Sequence, residues 1–565
     1  MDEPLDLSTY RGSVRIATEA MNDPIVTPAS EIPTDTLEQY RNLLNTDVNE
    51  AFTVWTRSYN NLSSGGADAF VVLAQVISEA AFNHDIIPRE ILGTGGASDF
   101  CEAVISQRNY WFYDQHPSLI YAILTIIDGI HLAAASIARS TGDRTITRHP
   151  ELVHLVGVLA TSAWAHRGIF VDGGRSDGYC IGWAKALRMR MLSFLPLMYP
   201  CIIETSDACM DYSRLVILCW YHSPDSASAD INFSNAFRHL PPRSAEEQTT
   251  TGPLLDDDDL EPEPVNPNYN SHRVAWLFTQ HDIIEVYGLE NFLRRVDATI
   301  RQPLLRDRFL FLFLQNIEKW FPHPQILPRA AASGILTGLR DAVERQALHG
   351  EDGFQWLTTV DFMLIAQFVS ALLPAADGAA YVIRDCAIVE LLARGTRLAA
   401  HLRSTEPDSS AVEQRDAYDS CILSLKRFST IAQAVNMRAG KNNLRKILRQ
   451  AMRREWYPTL LHIRDVQTLI LSNHRAKYTS LVSAWKTFGE VVGMDEAQAK
   501  KDHDHKVKRD ARFCSWADCQ YHGSPPPNLL ACKGCGEVRY CSKSCQRKDW
   551  YNGRHKLRCR RLKQT

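Results

Sequence analysis

Along most of this chain apolar residues recur three or four apart, the spacing that lays side chains on one stripe of an α-helix. In residues 67–82, ADAFVVLAQVISEAAF, Asp68 stands where a helix cap belongs, and Phe70, Leu73, Ala74, Ile77 and Ala81 form the stripe. The stretches beginning at Ser118 (SLIYAILTIIDGIHLAAASIA) and Leu152 (LVHLVGVLATSAWA) are apolar on nearly every side. Such helices belong in the centre of a stack rather than on its surface. FLFLFL at Phe309 to Leu314, followed by Ile317 and Trp320, predicts another helix with a buried face. Strand-like alternation is nearly absent, so the pattern predicts an all-α body of many helices, an array of the HEAT or armadillo type. No fixed repeat length accompanies it.

Breaks in the pattern divide the chain. Residues 1–35 hold prolines, threonines and acids without helical period and read as a flexible arm. Residues 36–240 are a first helical region. Residues 241–270, PPRSAEEQTTTGPLLDDDDLEPEPVNPNYN, carry six prolines and four consecutive aspartates and read as an acidic, solvated linker. A second helical region spans 271–500, and residues 510–560 form a small C-terminal unit. Within the second region, NNLRKILRQAMRREW from Asn442 sets an apolar stripe (Leu444, Ile447, Leu448, Met452) against Arg445, Lys446, Arg449, Arg453 and Arg454. The plain reading is a core helix with a solvated basic face, and the alternative is a surface for an anionic partner.

Composition sharpens this division. At 565 residues, 45% hydrophobic and 22% charged, the chain has enough apolar surface for two to four folded units. The net charge of -3 is uneven: from Lys501 onward 16 Lys and Arg face 6 Asp and Glu, a formal +10, leaving -13 for the rest. The N-terminus, MDEPLDLSTYRGSVRIATEA, is acidic where a secretory signal needs a basic start and an apolar run. The expectation is an intracellular protein, nuclear or cytoplasmic. The Ser118 stretch approaches membrane-spanning length, but Asp128, Gly129 and His131 interrupt it, and an Asp at mid-span costs roughly 2.5 to 3.5 kcal/mol. A buried core helix and no membrane partner are expected.

Of 14 cysteines, seven lie between Cys514 and Cys559. They pair by close spacing, with one histidine: Cys514 and Cys519, Cys532 and Cys535, Cys541 and Cys545, His555 and Cys559. A turn or one helical step aims each pair at one ion, and eight ligands make two closed tetrahedral zinc sites. A segment this short, rich in Lys, Arg and Gly, cannot bury enough apolar area to fold alone. Structural zinc supplies roughly 10 to 16 kcal/mol of apparent binding free energy, and that energy is folding energy. Lys533, Arg539, Lys543, Arg547, Lys548 and Arg558 offset the thiolate charge. His503 and His505, in KDHDHK, have metal-like spacing, but the eight ligand places are filled, and the segment reads as a solvated charged lead-in.

The ligand order, six Cys, one His and a last Cys, with the run CKGCGEVRYCSKSCQRKDW and the closing HKLRC, resembles the MYND zinc finger. Its C-x4-C opening and the 12-residue loop that follows, with HGSPPPNLL, depart from the commoner pattern. The resemblance implies interleaved sites: Cys514, Cys519, Cys541 and Cys545 on one ion, Cys532, Cys535, His555 and Cys559 on the other. It also implies a protein partner, because MYND fingers take proline-rich peptides, and Gln546 and Trp550 match the positions used for that. Their spacing of four puts both on one helix face, where an indole offers proline a flat platform and an amide can hold a carbonyl. The alternatives are packing under the second zinc site for Trp550 and a solvent-facing side chain for Gln546.

Enzyme signals are missing. GTGGAS at Gly93 lacks the full G-x-G-x-x-G and a preceding strand, and like DGGRSDG at Asp172 it reads as a helix connector. G-x-S-x-G, H-E-x-x-H and P-loop motifs do not occur. SET-domain methyltransferases, which also carry MYND fingers, have an N-H-x-C motif and a strand-rich fold that this chain lacks. The expectation is a non-catalytic adaptor or regulator. The alternative is a nucleic-acid-associated regulator using the basic tail, against which the finger shows no row of base-reading side chains.

Overall fold

A computed structural model of the chain describes most of residues 34–54, 96–106, most of 117–171, 184–195 in part, 206–224, 275–401, 411–437, 443–467, 475–553 and 555–559, with a few isolated residues between. Residues 1–33 of the expected arm, the acidic stretch 241–270 and DGGRSDG lie outside these residues, while residues 34 and 35 of that arm are helical. So does nearly all of 67–82, of which Ala74 and Val76 are described, helical and buried. The described residues form two compact units, Met1–Arg295 and Val296–Thr565.

The first unit contains α1 (Thr34–Thr46), α2 (Gly96–Ile105), α3 (Pro117–Thr141), α4 (Pro150–Ala165) and α5 (Ser206–Tyr221). GTGGAS thus runs into the start of α2. Helix α4 packs against both α2 and α5, which explains why it is apolar on nearly all sides. In α3, Ile123, Leu124, Ile126, Ile127 and Ile130 are buried, and Asp128 pairs with Arg190 at 3.0 Å, both side chains buried. Burial raises the Asp128 pKa, and Arg190 opposes the shift. Among the described residues two helical stretches are, by length and composition, apolar enough to cross a membrane, Ala122–Thr141 and Gly353–Leu372; the first is mostly buried inside the fold, as a core helix is.

Past α6 (Leu289–Ile300), the second unit begins its helices with α7 (Asp307–Trp320), whose Leu310, Phe313, Leu314, Ile317 and Trp320 are all buried as the FLFLFL pattern requires. Each such side chain contributes about 1.5–3 kcal/mol on burial. There follow α8 (Ile326–Ala332), α9 (Ile335–His349), α10 (Gly353–Leu372), α11 (Ala375–Arg384), α12 (Ile388–His401), α13 (Ala411–Met437), α14 (Asn443–Val466), α15 (Arg475–Val492) and α16 (Glu496–Asp510). Helix α10 lies against α7, α9, α11, α12 and α13, and it buries Trp356, Phe362, Met363, Ile365 and Val369 together with the polar Thr358, Thr359, Asp361 and Gln367. Helix α10 lies on α12, α12 on α14, α14 on α16 and α13 on α15, while α13 also meets α10 and α12, and α14 meets α15. The lengths of α10, α12, α14 and α16, 20, 14, 24 and 15 residues, follow no fixed repeat.

Two details of this unit matter for what it carries. Trp456 of α14 and Trp485 of α15 exchange hydrogen bonds, each indole N–H donating to the other's carbonyl at 3.1 and 3.0 Å, and Gly489 permits the approach because a Cβ there would sit 2.1 Å from the Trp456 ring. At the C-terminal end of α9 the fully buried amide of Gln346 donates to Asp307 Oδ1 (2.9 Å) and to the Glu351 carbonyl (3.2 Å), while the Glu351 N–H donates to Asp307 Oδ1 (2.6 Å). Asp307 holds φ +56, a strained value for a residue with a Cβ, and this network pins it. The turn after α9 is therefore a fixed platform.

Candidate metal centre

Helix α16 leads straight into the C-terminal unit. The KDHDHK stretch, expected as a solvated lead-in, is helical, capped by the Asp495 side chain accepting from the Gln498 N–H at 2.8 Å. Most of α16 is exposed, but His503 is half-buried: its ring lies 5.5 Å from Tyr457 of α14, and Nε2 is 3.8 Å from Glu537. Neither His503 nor His505 joins a metal cluster among the described residues.

Beyond it, the chain makes two metal knuckles. The Cys514 N–H donates to the Tyr521 carbonyl (2.9 Å), closing the first around Cys519. In the second, the Gly536 N–H donates to the Cys532 carbonyl (2.8 Å) and the Cys532 N–H to the Val538 carbonyl (2.9 Å). Gly536 has φ +70, the left-handed value that glycine takes without a steric cost. Strands β1 (Leu530–Ala531) and β2 (Arg539–Tyr540) pair antiparallel around this turn, Leu530 opposite Tyr540. They are the only strands among the described residues.

The remaining ligands come from helices. Ser542 caps α17 (Lys543–Tyr551), its hydroxyl accepting from the Cys545 N–H at 3.1 Å, so Cys541 and Cys545 flank the positive helix start. His555 and Cys559 bracket α18 (His555–Arg558), the Cys559 N–H donating to the His555 carbonyl at 2.7 Å.

Folded this way, the eight residues form two tetrads, Cys514, Cys519, Cys541 and Cys545, and Cys532, Cys535, His555 and Cys559, with all ligand atoms of each within 4.8 Å of one another. Sulfur separations of 3.5 Å (Cys519 and Cys541), 3.6 Å (Cys541 and Cys545) and 3.8 Å (Cys532 and Cys559) are too long for disulfides. They match the edge of roughly 3.8 Å expected for a tetrahedron of zinc–sulfur bonds. His555 Nε2 lies 3.4 Å from Cys532 Sγ and 3.7 Å from Cys535 Sγ. The donor set, seven thiols and one imidazole with no carboxylate, suits zinc. Pairing is interleaved, first ligand pair with third and second with fourth, an order that spacing alone leaves open.

What surrounds the ligands is as instructive. The buried core of this unit is Cys514, Cys532, Cys535 and Tyr540, three metal ligands and one ring. The Tyr540 hydroxyl donates to the buried Asp549 carboxylate at 2.7 Å, tying α17 to β2. Burial, then the bond to Asp549, pushes the Tyr540 pKa up, so the phenol stays a donor. Gly553 makes room for that carboxylate: a Cβ there would lie 1.7 Å from Asp549 Oδ1. Sequence reasoning passed over Asp549, although it stands four residues after Cys545, on the ligand side of α17.

Gln546 and Trp550 are both half-buried. The Trp550 ring meets the His555 ring edge-on at 5.8 Å, so this indole does pack on the second metal site while keeping part of its surface outside. The loop with Pro525, Pro526 and Pro527 is irregular and largely exposed. The finger also rests on the helical array of its own unit. Lys556 donates to the Leu348 carbonyl at 2.8 Å, in the last turn of α9, where unpaired carbonyls attract cations. Tyr551 stacks on His349, centroids 6.0 Å apart and planes 10° from parallel.

A short cross-braced domain of this kind, two closed zinc tetrads around a hairpin and a helix, is a binuclear zinc finger. Its particular type is settled by comparison: residues 512–559 match the MYND finger family, and the rest of the chain matches no family. Among curated proteins, a ubiquitin carboxyl-terminal hydrolase 19 from Arabidopsis thaliana is 39% identical over 64 residues, 11% of this chain and 9% of that protein. No solved structure matches the chain.

Proposed function

We propose that the protein is a non-catalytic adaptor or regulatory protein, intracellular in nucleus or cytoplasm, whose MYND finger binds proline-rich peptides of a protein partner. The observation carrying this reading is the outer face of α17. Trp550 and Gln546 stand one turn apart there, part-exposed, over a metal centre whose eight donors leave no coordination place for substrate. Structural rather than catalytic metal makes the finger a scaffold, and an indole beside an amide suits a peptide already held in extended form. The relative named as a hydrolase shares only a finger-length segment with this chain, so that activity is not carried over. The buried thiols Cys101, Cys219, Cys386 and Cys421 form no disulfide among the described residues, which suits a reducing compartment.

Titrating the full-length protein against labelled proline-rich peptides tests this. Trp550→Ala is expected to weaken binding about tenfold or more while two zinc ions per chain remain. Cys535→Ser is expected to abolish binding together with one zinc. Nucleic-acid binding that survives Trp550→Ala and falls steeply with salt would replace this reading with the basic-tail alternative.

A further inference from the structure

The outer face of α17 carries charge that an indole and an amide do not account for. At about 100° per residue, Gln546, Trp550, Lys543 and Arg547 fall in that order within an arc of about 100°. Lys543 and Arg547 are one turn apart, as are Gln546 and Trp550, and each cation is three residues ahead of one of the other two, so the four make a contiguous patch. Cys545 and Asp549, the zinc ligand and the buried acceptor, occupy the other side of the helix.

Lys543 and Arg547 are exposed, and neither forms an ion pair among the described residues. Lys543 and Arg547 are among the cations expected from sequence to offset the thiolates, but at about 100° per residue both lie about 160° around α17 from Cys545. The metal centre therefore leaves them unexplained. A ligand lying along Trp550 and Gln546 would have both cations along one edge.

We propose that the peptide taken by this finger is acidic as well as proline-rich: its prolines lie on Trp550, a backbone carbonyl meets the Gln546 amide, and flanking carboxylates meet Lys543 and Arg547. This rests on the peptide-binding reading above and adds the charge of the partner to it. The chemistry is that of an exposed ion-pair edge, which sets selectivity and salt dependence more than total affinity.

The test uses the full-length, zinc-loaded protein and three fluorescein-labelled peptides of one length, EPELPEP, QPQLPQP and KPKLPKP, with affinities read by anisotropy at low and high salt. The acidic peptide is expected to bind about tenfold tighter than the neutral one at low salt, and the basic peptide weakest. That advantage is expected to shrink as salt is added. The double variant Lys543→Glu, Arg547→Glu is expected to reverse the order with zinc content unchanged, and Lys508→Glu, a like charge change on α16, to leave it intact. Equal affinity for acidic and neutral peptides, or an order unchanged in the double variant, overturns the inference while leaving proline recognition standing. Failure of all three peptides to bind overturns both.

Discussion

Tyr540 is fully buried, and its hydroxyl holds the Asp549 carboxylate beneath α17. Tyr540→Phe keeps the ring and deletes the donor, leaving a buried carboxylate without that partner, a loss of about 1–3 kcal/mol. The expected outcome is faster zinc release to a chromogenic chelator, at unchanged metal stoichiometry; an unchanged release rate would show the bond to be dispensable. Single residues also show what was readable beforehand. The eight ligands were legible because thiol and imidazole pairs at such spacing have few other uses in a segment without aliphatics. The role of Asp549 was not, because in KSCQRKDW it is one more charged residue until the fold brings Tyr540 above it. Trp550 was legible as an aromatic of consequence, but its edge-on contact with His555 depends on how α18 folds back.

At the scale of elements, helix existence followed from the pattern and helix partnership did not. The Phe309 to Leu314 run predicts a buried face, and α7 has one, but only the packed structure shows that α7 lies on α10. That contact contains a pair of carboxyls. Glu318 Oε1 on α7 and Asp361 Oδ2 on α10 are buried atoms without a hydrogen-bond partner. Burial raises both pKa values well above the carboxylate range, and for Glu318 the charge of Asp361 adds to the effect. The sign follows from linkage. Below about pH 4 both groups are protonated in folded and unfolded chains, and no penalty exists. As pH rises from there, the unfolded chain ionises while the folded pair resists, so stability falls until the folded pKa values are passed. Asp361→Asn is therefore expected to raise the urea midpoint at pH 8 and to change it little at pH 4. A midpoint lowered at pH 8 would mean the carboxylate has a partner it needs.

For the whole molecule, the two kinds of core predict two kinds of failure. The helical array of the second unit is held by large apolar side chains such as Trp320, Trp456 and Trp485, whereas the finger's buried centre is its own metal ligands and Tyr540. Chelation of the intact protein is expected to remove two zinc ions and to abolish hydrogen-exchange protection across residues 530–559, while protection across α10 and α14 persists. Loss of protection in both places would show that the array depends on the finger. Almost none of this arrangement was visible in the chain beforehand, because the contacts described between finger and helices are a lysine on a backbone carbonyl, one ring stack and His503 beside Glu537. Nothing in the local sequence points from Lys556 to Leu348, 208 positions away, or from Tyr551 to His349.

The turn after α9 has a reach of its own. Leu348 and His349, which receive the finger, sit directly before Gly350, where a methyl group would land 2.3 Å from the Gln346 amide that holds Asp307 in its left-handed conformation. An alanine at 350 would unseat that amide and tilt the ledge on which Lys556 and Tyr551 land. A variant collection sorted only by distance from zinc would file the change under the helical body, while its damage would appear as a finger facing the wrong way.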